Sequence, residues 1–111
     1  MGKTEWEQLM RDLLHRHYGD YAYYRDMEWS NSPAPHIKAA IHAIQYAVNG
    51  LPLDGSREAV LARAIEKIRH AAEQFRRHEQ DDDGWGACVF TSVIEEMEQR
   101  KAEASGQPRQ P

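Results

Sequence analysis

The chain has a single cysteine, Cys88, in 111 residues, so it can form neither an internal disulfide nor a thiolate zinc site. It lacks any long apolar run, and its longest is far short of the roughly 20 residues a membrane-spanning helix needs. The opening segment, MGKTEWEQLM, carries acids and no apolar core of its own, which argues against a secretory leader. A myristoylation pattern also fails, because Trp6 stands where serine or threonine is required. Positive charge is not in excess: 14 Lys+Arg face 18 Asp+Glu, a net charge of -4. That balance is unlike the strongly basic footprint of a typical nucleic-acid binder. No internal repeat and no sustained strand-type alternation is visible. The expectation is a soluble, cytoplasmic protein with no membrane association.

What is present is ordinary globular composition, 41% hydrophobic and 29% charged, in a length that suits one domain with one core. The apolar residues recur at helical spacing. Trp6, Leu9, Met10, Leu13 and Leu14 line one face of a first helix, with Thr4 and Glu7 forming a T-x-x-E capping box. Gly19 is placed to end that helix, because a C-terminal left-handed residue is cheapest as glycine. Asp20 to about Trp29 reads as a separate short helix. The run Ser30-Asn31-Ser32-Pro33-Ala34-Pro35 is a break. Ile37, Ala40, Ile41, Ile44, Ala47 and Val48 then make a clean amphipathic helix closed by Asn49-Gly50.

Leu51 and Leu53 in the next connection are suited to plug one end of a bundle. Ser56 caps the strongest helix, with Val60, Leu61, Ala64, Ile65, Ile68, Ala72 and Phe75 on one side, running to about His78. A turn around Asp81-Asp82-Asp83-Gly84 leads to a last helix bearing Val89, Phe90, Val93, Ile94 and Met97. The fold class that follows is all-α: a single-domain antiparallel bundle of four to five helices over residues 1–101, with a disordered tail over 102–111.

The chemistry-bearing residues do not assemble into a recognisable catalytic or metal motif. His15 and His17 are two apart and diverge on a helix, and Asp12 and His15, at i and i+3, lack the matching pair on a second helix. His70 and His78 lie on a polar helix side. His17 projects on the apolar face of the first helix, where a bond to a carbonyl is expected. Cys88 falls on the far side of the last helix with Ser92, and no base can be assigned to activate it. The consecutive aspartates do not have calcium-loop spacing. Glu95, Glu96 and Glu98 form a solvated face rather than a magnesium site. No cofactor and no metal is expected, and the chain is not expected to be an enzyme; a small metal- or thiol-dependent enzyme using Asp12, His15 or Cys88 ranks third.

Charge is uneven along the chain. Residues 1–32 hold six acids against four bases, residues 56–80 six bases against four acids, and residues 81–101 six acids against two bases. The basic stretch offers Arg63, Lys67, Arg69, Arg76 and Arg77 as a phosphate-binding row for a nucleic-acid-binding or helix-turn-helix-like adaptor. Glu73 interrupts that row and is spaced to pair with Arg69 and Arg77. A solvated, salt-bridged face is the stronger reading.

The aromatics carry the leading functional reading. Tyr18, Tyr21, Tyr23, Tyr24 and Trp29 crowd into twelve residues beside Arg25. A short segment cannot bury rings on every side, and Tyr, Trp and Arg dominate interface hot spots. Together with Asp81, Asp82 and Asp83, which would steer toward a basic surface, they predict a protein-binding site. The expected function is a small non-enzymatic regulator or inhibitor that binds another protein. Its size and acidity suit a bacterial or phage-encoded regulator of a nucleic-acid-processing complex. The same aromatic patch could instead join two copies of the chain.

Overall fold

A computed structural model of the chain describes residues 1–27, 30, 32–78, 84–104 and 106. These form four helices and no strand: α1 (Lys3–Asp26), α2 (Ala34–Ala47), α3 (Arg57–His78) and α4 (Trp85–Ala104). Cross-helix contacts fix the directions. Tyr18 meets Gln45, Phe75 meets Phe90, and Tyr24 near the end of α1 meets Trp85 at the start of α4. Each helix therefore runs opposite to its chain neighbours, and α1 opposite to α4, giving an up-down-up-down bundle. In it α2 touches all three other helices, while α1 and α3 lie on opposite sides.

The apolar faces read from the sequence are the ones that close the core. Leu13, Leu14, Ile37, Ile41, Ile44, Val60, Leu61, Ile68, Phe90, Val93 and Met97 are essentially fully buried. The Phe75 and Phe90 rings pack 5.2 Å apart with a tilted geometry, joining α3 to α4. Met10, Ala72 and Ile94 sit at the core's edge rather than inside it. Ser56 caps α3 as expected, its Oγ accepting the Ala59 amide at 3.1 Å.

Helix α1 departs from the expectation twice. Its N-cap is Gly2, with no side-chain cap bond, so Thr4 and Glu7 do not form the capping box. It also continues through Gly19 and absorbs the segment expected to be a second helix, ending at Asp26. The reason lies in the buried stripe. His17 occupies a core position in register with Leu13, and half-buried Tyr21 and Tyr24 extend the line beyond Gly19. Gly19 faces solvent, with nothing near the place a Cβ would take.

Two connections are pinned by specific bonds. Between α1 and α2, the Ser32 hydroxyl donates to the Tyr24 carbonyl at 2.9 Å and accepts from the Ala34 amide at 3.2 Å. The α2–α3 connection turns at Gly50, whose φ of 75° favours glycine. Arg63 donates to the carbonyls of Pro52 (3.0 Å) and Asp54 (2.8 Å), and the Met1 amine donates to Leu53 O at 3.1 Å. Leu51 and Leu53 pack against the core and close that end of the bundle. At the other terminus α4 extends to Ala104, three residues past the expected domain boundary. Of the remaining tail only Gly106 is described.

Candidate functional site

The aromatic segment does not form one patch. Tyr24 is half-buried, with its ring 5.1 Å from Trp85 and 5.2 Å from Tyr23, both edge-on. Tyr21 is half-buried under two cations, the Arg25 guanidinium 5.6 Å and the Lys38 ammonium 5.9 Å from its ring centre. Of the described rings in the segment, Tyr18 and Tyr23 are exposed, at 46% and 58%. They lie about 140° apart around the helix, because five residues advance it by nearly one and a half turns. Tyr18 flanks α2, accepting a hydrogen bond from the Gln45 side-chain amide, while Tyr23 packs edge-on against Tyr24. Trp29, Asp81, Asp82 and Asp83 lie outside the described residues.

Tyr18 instead ends a cleft that the sequence reading did not anticipate. Trp6, Met10, Leu14 and Tyr18, four residues apart along α1, form one wall, with Trp6 and Leu14 buried at its base and Met10 and Tyr18 reaching solvent. Val48, Leu51 and Leu53, from the end of α2 and the following connection, form the other. The cleft encloses about 570 Å³, and Lys3, Glu7 and Arg11 stand along its edge. Its second wall is held by the Arg63 and Met1 bonds, and the Arg57–Glu5 ion pair ties the start of α3 to α1 beside it. The open side carries apolar side chains with the Tyr18–Gln45 pair at one end. Concave, mostly apolar surface with a few fixed polar groups is the usual form of a binding site. Met10, Leu51 and Leu53, read from the sequence as core-face and bundle-closing residues, are half-buried along this cleft.

The basic residues of α3 occupy two flanks. Arg69 and Arg76 border α4, where Arg69 donates to Glu98 across the helix pair at 2.8 Å rather than to Glu73. Lys67 borders α2, and Arg77 is exposed. Arg63 is engaged with the carbonyls of the α2–α3 connection and with Asp54. No single row of the five results. Among the α4 acids, Glu98 receives Arg69 and is half-buried, while Glu95 is exposed.

Cys88 is exposed at the start of α4. His17 is 4% exposed, and its Nε2 has no hydrogen-bond partner, so the expected bond to a carbonyl is not made by that nitrogen. Burial, and then the neighbouring Arg16 charge, push its pKa below the ordinary histidine value, partly opposed by Asp20 and Glu96. Among the described residues no three His, Cys, Asp or Glu side chains are grouped to hold a metal ion, and no helix is long and apolar enough to cross a membrane. No protein-family model, curated protein sequence or solved structure matches the chain.

Proposed function

We propose that this protein is a non-enzymatic regulator that acts by binding another protein, and that the cleft between α1 and the end of α2 is where the partner's anchor residue seats. The observation that carries this reading is the wall formed by Trp6, Met10, Leu14 and Tyr18 facing Leu51 and Leu53 across about 570 Å³. A cleft of that size accepts one or two large apolar side chains, and such buried anchors supply most of the energy of an interface. The exposed Tyr18 ring and the cation-flanked Tyr21 continue the same α1 face, with Arg25 beyond them. A partner seated in the cleft would therefore meet an aromatic and basic rim toward the end of α1. The fixed α2–α3 connection supports the reading, because a preformed wall loses little entropy on binding.

Photo-crosslinking tests it. A benzophenone side chain placed at Tyr18 should yield a discrete protein adduct in native-host cells, whereas one at exposed Glu95 on α4 should not. Equal adducts from both positions, or from Glu95 alone, would sink the cleft as the docking site.

A further inference from the structure

A second groove lies on a different face of the bundle, between α2 and α3. Its floor is made of small side chains: Ala39, Ala43 and Ala47, four residues apart on α2, facing Ala71 of α3, with Phe75 beneath. It encloses about 500 Å³. Tyr46 stands on its border at 83% exposure, far more open than Tyr18 or Tyr23. A ring so exposed beside an apolar trough is a hot-spot residue type.

The charge of this groove is opposite to that of the protein. Besides Tyr46, the ionisable side chains in its described lining are Lys67, His70 and His78, so with histidine neutral its formal charge is that of Lys67. No carboxylate occurs anywhere from Ser30 to Leu53, although the chain as a whole carries 18 acids against 14 bases. Among the described residues, an acidic protein thus turns to solvent an apolar trough edged by bases and lined by no carboxylate.

We propose that this groove receives an amphipathic helix of a partner protein whose polar flank is acidic. The alanine floor lets a third helix approach closely, and its apolar stripe would cover Phe75 and the alanines. Its carboxylates would then meet Lys67, His70 and His78 along one edge, and complementary charge sets both the orientation and the choice of partner. A nucleic-acid backbone fits less well. It would leave the apolar floor of alanines and Phe75 unused. The groove is separate from the α1/α2 cleft, so this proposal stands or falls independently of the proposed function.

The test uses the full chain and a fluorescein-labelled helical peptide of about 18 residues, five turns, with leucines at i, i+3 and i+4 and glutamates elsewhere. The same peptide with lysine for glutamate and a short DNA duplex serve as competitors. The expected result is saturable binding of the glutamate peptide, at least about tenfold tighter than the lysine form. Amide shift changes should gather on α2 and α3. Lys67→Glu with His70→Glu should reverse the preference, and Ala43→Gln, which fills the floor, should weaken binding about tenfold. Helical circular dichroism of each variant shows that it is folded, and wild-type preference with shift mapping decides the matter if a variant is not. The proposal is overturned by no saturable binding, by equal or tighter binding of the lysine peptide or duplex, by shifts gathered on the α1/α2 cleft, or by a dimer of this chain that occupies the groove itself.

Discussion

Ser32 holds the start of α2 to the end of α1: its hydroxyl donates to the Tyr24 carbonyl at 2.9 Å while accepting the Ala34 amide at 3.2 Å. One side chain thereby satisfies an orphan acceptor of one helix and an orphan donor of the next. Ser32→Ala should cost about 1–2 kcal/mol, read from urea denaturation, with little change in the native circular dichroism. A loss indistinguishable from zero would mean that water replaces both bonds.

Gly19 sits within a continuous helix, exposed, with open space around its Cα. Gly19→Ala should therefore stabilise the protein by about 0.5–1 kcal/mol, because alanine loses less backbone entropy on folding. Destabilisation would show that the chain breaks there, as a left-handed helix terminus would require.

The His17 imidazole is buried and held below its ordinary pKa, so the unfolded chain takes up a proton there before the folded one does. Its contribution is full above about pH 6.5 and declines as pH falls from there toward the folded value. Thermal melts at pH 7.5 and pH 5 should show the lower stability at pH 5. His17→Leu should reduce that difference and raise stability at pH 7.5 by about 1 kcal/mol or more, because it removes a buried nitrogen without a partner. A variant with the wild-type pH slope would place the titration elsewhere.

Leu61 is fully buried between the helices. Leu61→Ala should cost about 2–5 kcal/mol, from lost apolar transfer and the cavity left behind. A melting temperature within a degree of wild type would contradict the packing of α3.

The helices α2, α3 and α4 were legible from periodicity and caps, because their buried stripes are apolar at almost every turn. Ser56 and the turn at Gly50 act as local chemistry dictates. Helix α1 was harder for a physical reason: its core line passes through His17 and the edge aromatics Tyr21 and Tyr24, so the stripe fades where a glycine also suggests an end. Local signals lost to tertiary packing there. The same holds for function. Composition marked the tyrosines, but only the fold divides Tyr18, which meets Gln45 of α2, from Tyr23, which packs against Tyr24. The cleft draws on Trp6, Gln45 and Leu51, residues far apart in the chain, and no spacing rule brings them together. Likewise, the five bases of α3 read as one row until Arg63 and Arg69 are seen engaged with Pro52, Asp54 and Glu98.

Binding of another protein at the α1/α2 cleft is tested by affinity capture from native-host lysate with nuclease present. Wild type is compared with a Met10→Glu variant, which places a charge in the apolar wall, and a Tyr18→Ala/Tyr21→Ala variant. The expected result is one stoichiometric protein that survives nuclease, retained by wild type and lost from both variants while their helical signal persists. Capture that vanishes with nuclease, or that persists undiminished in the folded variants, would contradict it.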